Sequence, residues 1–357
     1  MGQVVQPLFF SIYPSLDGVS PGCYWDDCNF KYPWATWLHP RRFSSVSTLL
    51  IWCLCMLKFL PSPLLGVFSF LLVVFNTVFW VTLFIPVILL KFIFFAPQFR
   101  HRCSQVLTAF AAQWVSCNSF ILHIMQDIEW DVEGPVNLNS HASYLVTSNH
   151  RSWTDIVVLQ HVFRGKIPFL KFFLKKELMW VPFLGLAWWA LDFPFMKRYS
   201  RRFLEKHPEL RGQDMATTRN HCEKFKRSPV SVINFVEGTR FSSSKHLSQN
   251  SPFQNLLRPR AGGLGFVLAA MGDHLSGILD VTIVYPDNDP DALIWQLMQG
   301  KIPRIIVRVR LLPVPEDVAG KDYWEDSDFK ERMQNWVNRI WQDKDMLINR
   351  ILSVRRA

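Results

Sequence analysis

The chain has 357 residues, a net charge of +10, 49% apolar and 19% charged residues, and a mean hydropathy of +0.09. That apolar content excludes intrinsic disorder, and a chain of this length buries a core without disulfide or metal staples. Soluble proteins carry about 25% charged residues, so the deficit, with 30 Phe and 15 Trp, places part of the chain in lipid. The basic excess points to an anionic partner, which is a phospholipid surface, a nucleic acid or a phosphorylated small molecule.

Residues 1–42 are aromatic, contain proline and show no periodicity, and form an unassigned N-terminal extension. A membrane anchor is expected over 43–99. Phe43 to Leu57 is uncharged, and after Lys58 the run Phe59 to Leu90 holds 32 positions without a charge. A spanning helix needs about 20 apolar residues. One straight helix over the whole run would be about 48 Å long at ~1.5 Å per residue, so a tilt or break is expected, with Pro61, Pro63, Gly66 and Pro86 as candidates. Arg41, Arg42 and Lys58 precede the long run and Lys91, Arg100 and Arg102 follow it. This even distribution fits a hairpin with both ends cytoplasmic as well as a single span with its N-terminal tail outside. The run starts too far from Met1, and is too long, for a cleaved signal peptide. Seven cysteines, two of them in the apolar stretch and none in C-x-x-C spacing, agree with a reducing compartment and support neither a disulfide framework nor a zinc site.

From about residue 100 to 357 the pattern is that of one α/β domain. Strands are expected at Ser143–Thr147, Val230–Val236, Ile278–Tyr285 and Ile305–Leu311, each rich in Val, Ile, Leu, Tyr or Phe. Helices are expected at Asp155–Phe163, Asp214–Lys226 and Ser327–Leu352. This alternation implies helices packed on a mixed, largely parallel sheet. Residues 164–211 carry eleven Lys or Arg against four acidic residues, a net +7, interleaved with Phe169, Phe172, Phe173, Trp180, Trp188 and Trp189. Such interleaving suits an interface where cations meet lipid phosphates and aromatics enter the headgroup layer; a solvated basic face over an ordinary core is the other reading. No zinc finger, RNP signature or basic region with heptads is visible, so nucleic acid fits less well.

Two strand ends carry candidate chemistry, because ligands of open α/β sheets bind beyond the strand C-termini. The first expected strand runs into Ser148, Asn149 and His150, followed by Arg151, Ser152, Trp153, Thr154 and Asp155. His150 is a candidate general base that needs an orienting partner, and Asp155 can be that partner if His150 sits on the turn and folds back over the first turn of the helix. Equally, Ser152 and Asp155 form a capping box, which would leave His150 a turn residue with no chemical duty. The second strand runs into Glu237, Gly238, Thr239 and Arg240. Glycine permits close backbone approach and Arg240 offers a planar fork for a phosphate, with Glu237 holding it in place; the alternative is a surface turn with a solvated ion pair. Arg260, Gly262 and Gly263 form another basic loop, and Lys175 is a third basic candidate. The sequence has no G-x-S-x-G, H-E-x-x-H, G-x-x-x-x-G-K-[ST] or G-x-G-x-x-G, so no metal, nucleotide or flavin cofactor is expected.

Four blocks stand in order: N-H-R-S-W-T-D (Asn149–Asp155), K-K-E-L-M-W-V-P-F-L-G (Lys175–Gly185), F-V-E-G-T-R-F (Phe235–Phe241) and V-T-I-V-Y-P (Val281–Pro286). Together they resemble the glycerophospholipid acyltransferase family, which includes the 1-acyl-glycerol-3-phosphate acyltransferases. The wording E-G-T-R-F-S-S-S-K-H and L-L-R-P-R-A-G-G is closer to the long-chain and lysocardiolipin-type subgroup and its bacterial inner-membrane, YihG-type relatives. The resemblance implies a membrane enzyme, its domain on the cytoplasmic face of the bacterial inner membrane. Acyl-CoA or acyl-carrier protein would donate a fatty acyl group to the free hydroxyl of a lysophospholipid, foremost 1-acyl-glycerol-3-phosphate, without a further cofactor. It implies that His150 deprotonates the acceptor, that Asp155 orients His150, that Glu237, Gly238, Thr239 and Arg240 bind the glycerol phosphate with help from Lys175, and that Pro286 belongs to the site wall. The alternatives are another lysophospholipid acceptor, such as lysophosphatidylglycerol or lysocardiolipin, and a lipid-binding protein without turnover.

Overall fold

The uncharged run becomes one helix, α1 (Ser62–Ile93), in the computed structural model, which describes residues 60–196, 225, 228–288, 292–316 and 326–354. The expected break does not occur. Pro61 is the N-cap and Pro63 lies in the first turn, where its missing N–H costs nothing, and the helix continues through Gly66 and Pro86. Three residues later a second helix begins, α2 (Pro97–Met125), and packs back along the first. Leu65 meets Ile124 and Met125, and Val81 and Phe84 meet Leu107 and Ala111. Between these apolar contacts Asn76 Nδ2 donates to Asn118 Oδ1 at 2.8 Å and to the Trp114 carbonyl at 3.2 Å, and Trp114 Nε1 donates to Thr77 Oγ1. The run 43–57, expected to pair with 59–90, lies outside the described residues, as does the expected helix 214–226 apart from Phe225; the hairpin seen joins α1 to α2.

Both ends of α1 are fastened to the rest of the fold. Near its start, a Cβ on Gly66 would meet Gln299 Cγ at 2.9 Å and the Trp295 ring at 3.3 Å, so glycine permits that close approach. Near its end, Lys91 Nζ donates to the Ala190 carbonyl at 3.1 Å and to Asp192 Oδ2 at 3.2 Å. The outer face of α1 remains exposed and apolar, with Leu64, Val67, Phe70, Leu71, Phe75 and Phe79 along it. Among the described residues this is the one helix long and apolar enough to cross a membrane.

The globular part is a three-layer α/β arrangement. Its sheet contains β1 (Glu129–Glu133), β2 (Ser143–Ser148), β3 (Leu170–Phe172), β6 (Ser231–Phe235), β7 (Leu275–Val284) and β8 (Arg304–Leu312), in the order β1-β8-β7-β2-β6-β3. Every neighbouring pair is parallel except β7 with β8, which is the mixed, largely parallel sheet expected. A separate two-stranded sheet pairs β4 (Leu174–Lys175) with β5 (Phe195–Met196). Alternation along the strands builds two cores. On one face Leu145, Val232 and Ile278 pack against α6 (Ala261–Met271) and α8 (Ser327–Val354). On the other, Tyr144, Val146, Ile233, Leu279 and Val281 pack against α3 (Thr154–Phe163) and α7 (Leu293–Met298). Two shorter helices, α4 (Leu184–Ala190) and α5 (Ser243–Ser248), lie outside these layers. The four strands and two helices expected within the described residues are present, with ends displaced by at most three residues.

Candidate active site

β2 lies at the centre of the sheet with β6 on one side and β7 on the other, all three parallel, so their C-terminal ends share one edge. Ser148, the last residue of β2, is in register with Phe235 and with Val281. Asn149 then closes the ladder with its side chain: Nδ2 donates to the Ile283 carbonyl and Oδ1 accepts from the Ile283 N–H, both at 2.9 Å. This pair of hydrogen bonds fixes where the chain leaves β2 and delivers His150 to the edge.

His150 folds back over α3. Its Nδ1 lies 2.9 Å from Asp155 Oδ2, and its ring stacks on Phe235 at 3.9 Å between centroids with 16° between planes. Asp155 is 0% exposed, whereas the His150 side chain keeps 13%. The same Oδ2 accepts from the Arg151 N–H at 2.6 Å and the Ser152 N–H at 2.8 Å, while Oδ1 accepts from the Tyr285 hydroxyl at 2.8 Å. Ser152 Oγ accepts from the Thr154 N–H at 3.3 Å. The orienting arrangement and the Asp155 half of the expected capping box are therefore both present, and one carboxylate makes them: reaching back to the turn N–H groups places Oδ2 where His150 can bond to it. The Ser152 half differs, because Trp153 is the N-cap of α3 and Ser152 Oγ meets the Thr154 N–H instead of that of Asp155. With Nδ1 committed to Asp155, the ring nitrogen left for proton transfer is Nε2, the geometry of a general base backed by a carboxylate.

The E-G-T-R turn leaves β6 at the same edge. Gly238 has φ 68°, a left-handed conformation, and a Cβ there would meet only Arg260 Cδ at 3.8 Å, so conformation rather than space calls for glycine. Arg240 is exposed, with its guanidinium 5.3 Å from the Trp153 ring centroid. Lys245, noted in the sequence only within the longer wording, donates to Thr239 Oγ1 at 3.0 Å and to the Arg240 carbonyl at 2.9 Å, bracing the turn.

Glu237 differs from expectation. It is 1% exposed, sealed beneath the turn, and does not reach the surface where Arg240 stands. The cation beside it is Arg151, whose guanidinium lies over Phe241 at 4.4 Å. Both Glu237 oxygens lack a complete hydrogen bond, although the backbone N–H groups of His150 and Leu257 lie near. Burial raises this carboxyl to about 8, against the pull of Arg151. A value above the ordinary 4.5 means that the stability supplied by the protonated form is complete below 4.5 and is lost as pH rises through about 8. Glu237→Gln should therefore melt above the parent at about pH 9, with the gap closing by about pH 4. Thermal melts across that range check this, and a gap independent of pH would contradict it.

Lys175 is exposed in β4, beyond β3, and shares no hydrogen bond or ion pair with His150 or the E-G-T-R turn among the described residues. The site residues absent from the sequence reading are Phe235 and Phe241 as ring platforms, Arg151 as the half-buried counter-charge to Glu237, and Tyr285. The aromatic residues at the two ends of the F-V-E-G-T-R-F block were the available signal for the platforms.

The family model described as Acyltransferase matches residues 129–285, from β1 to Tyr285. The chain is similar to the acyltransferase family over these residues, a little under half of its length. Among its relatives, the chain is 26% identical over 301 residues to lysocardiolipin acyltransferase 1 of Danio rerio, covering 78% of the chain and 68% of that protein. It is 27% identical over 211 residues to the 1-acyl-sn-glycerol-3-phosphate acyltransferase delta of Homo sapiens, covering 53% and 51%. With the 2-acyl-1-lysophosphatidylinositol acyltransferase of Saccharomyces cerevisiae the identity is 29% over 141 residues, covering 35% and 34%. The chain thus spans about two thirds of the first relative, about half of the second and about a third of the third. The crystal structure of the 1-acyl-sn-glycerophosphate acyltransferase from Thermotoga maritima aligns with a TM-score of 0.48 at 18% identity, covering 80% of this chain and 95% of that one.

Proposed function

We propose that this protein transfers a fatty acyl group from acyl-CoA or an acyl-carrier protein to the free hydroxyl of a lysophospholipid, foremost 1-acyl-glycerol-3-phosphate, giving phosphatidic acid. The observation that carries the reading is the His150–Asp155 pair at the edge of the sheet. His150 Nε2 takes the proton of the acceptor hydroxyl as its oxygen attacks the thioester carbonyl. The tetrahedral intermediate collapses, the C–S bond breaks, and the departing thiolate recovers the proton from the imidazolium. A thioester is already activated, so one oriented base and an anchored acceptor suffice without a covalent enzyme intermediate.

In this reading Arg240, with Gly238 and Thr239, holds the glycerol phosphate, and Lys175 adds a second cation further along the edge. Glu237 supports the turn from below. The exposed apolar face of α1 engages the membrane, in keeping with an anchor over 43–99. A helix fastened to the domain at both ends presents its side to lipid. Exposed Trp180, Phe183 and Trp189, near Lys175 and Lys176, continue that surface.

A second acceptor, lysocardiolipin, is favoured by the length of the match to the Danio rerio protein. Incubating the purified protein with acyl-CoA and a panel of lysophospholipids, and reading products by mass, separates the two. Phosphatidic acid as the dominant product supports the first reading, and acylated lysocardiolipin with no phosphatidic acid overturns it. Arg240→Ala should raise the KM for the lysophospholipid about 10- to 100-fold while changing kcat less, since a charge-assisted phosphate contact lies away from the reacting hydroxyl. Steady-state kinetics check this, and an unchanged KM removes Arg240 from the phosphate site.

A further inference from the structure

Asp155 is held from two directions, by its own turn and by the far end of β7. We propose that Tyr285 is a positioning residue for the His150–Asp155 pair, its hydroxyl fixing Asp155 Oδ1 so that Oδ2 is presented to the imidazole. This inference rests on the acyl-transfer reading above.

The accounting of hydrogen bonds supports it. Oδ2 already accepts from His150 Nδ1, the Arg151 N–H and the Ser152 N–H. Oδ1 is buried with the rest of the carboxylate and is met by the Tyr285 hydroxyl at 2.8 Å. Without that donor a buried carboxylate oxygen would be left bare, and rotation of the carboxylate would be limited only from one side. The position of the donor is itself set by the sheet. The Asn149 side chain bonds both ways with the Ile283 backbone, two residues before Tyr285, so the turn carrying His150 and the strand carrying Tyr285 are held in one register. Tyr285 thereby links the fourth sequence block to the first, where the sequence alone suggested only a wall.

Burial, and then the Asp155 charge, raise the Tyr285 hydroxyl well above its ordinary value, so it remains a donor at neutral pH. Donation to Oδ1 also draws charge from the carboxylate and moderates its hold on the imidazolium. Other groups facing the pair are Arg151 from the same turn and Glu237 from the end of β6, with Lys344 and Asp345 of α8 acting at longer range on Glu237 and Arg151.

The test is Tyr285→Phe in the full chain, with kcat, KM and the pH profile of kcat/KM measured beside the parent and His150→Ala, and circular dichroism reporting the folded fraction. The expected result is a kcat lowered about 10- to 100-fold, KM values for both substrates within about twofold, and an acidic limb of kcat/KM moved to higher pH. The limb moves up because a carboxylate freed of the phenol holds the protonated imidazole more tightly. A purely structural role would lower the folded fraction and leave the limb and the KM values in place, and that result overturns the inference. If His150→Ala is inactive and Tyr285→Phe matches the parent, the inference falls alone; if His150→Ala stays active, the acyl-transfer reading falls with it.

Discussion

His150→Ala is expected to lower acyl transfer by about 10²- to 10⁴-fold, the usual contribution of a positioned general base, while the protein still folds and binds membranes. Among the described residues the imidazole makes one polar contact, with Asp155, and one ring contact, with Phe235, so its removal leaves the sheet edge intact. Asp155→Asn should reduce activity as well, because an amide in place of the carboxylate no longer balances the imidazolium. That variant also weakens the bonds to the Arg151 and Ser152 N–H groups, a cap whose loss typically costs about 1 kcal/mol, so its melting temperature should fall where that of His150→Ala does not. Thiol release from acyl-CoA in the presence of lysophospholipid measures the activity, and full activity in both folded variants would remove the pair from the reaction.

The largest effect on stability is expected on the opposite face of the sheet. Lys344 of α8 is wholly buried. Its ammonium lies 2.8 Å from Asp280 Oδ1, donates to the Val281 carbonyl and lies 3.2 Å from Thr282 Oγ1, while Arg310 reaches Asp280 Oδ2 at 2.8 Å. Burial alone would raise the Asp280 carboxyl, yet Lys344 and Arg310 hold it below the usual carboxylate range. Lys344→Met leaves a buried carboxylate with half its compensation, and breaking a buried pair in this way costs about 3–5 kcal/mol. Pairing it with Asp280→Asn removes the stranded charge and should recover part of the loss. Asp280 also accepts from Thr147 Oγ1 at 3.1 Å, three residues before His150, so activity should follow the folded fraction. Denaturant unfolding of the two variants checks this; a loss below about 1 kcal/mol for Lys344→Met would show that the pair adds little beyond packing.

Local pattern carried much of this architecture. The strands β2, β6, β7 and β8 were legible because each is a β-branched run, and the order of the four motif blocks pointed to the family. The helix α2 was not, because its buried positions Cys103, Leu107, Ala111, Val115 and Ser119 step by four through small and polar residues. The strand β1 was missed because three of its five residues are acidic, with Asp131 and Glu133 paired to Arg308 of β8. At the site, the relation between His150 and Asp155 lies within one turn and was open to reading as a cap or a base pair. The contacts that settle its geometry come from Phe235 and Tyr285, and only strand pairing brings them together: Tyr285 is 130 residues from Asp155 in the chain. Burial was equally hidden. Glu237 reads in sequence as a partner of Arg240 at a surface turn, yet it is buried, and nothing local in the sequence marks Lys344 as buried.

In the proposed function the edge formed by β2, β6 and β7 carries out acyl transfer as well as binding lipid. The most direct test of this follows free thiol and acylated lipid together in one reaction of the purified protein with acyl-CoA and 1-acyl-glycerol-3-phosphate. The account predicts one thiol released for each phosphatidic acid formed, with both signals lost in His150→Ala. Binding of lysophospholipid vesicles with no thiol release, or thiol release with free fatty acid and no phospholipid product, would contradict it.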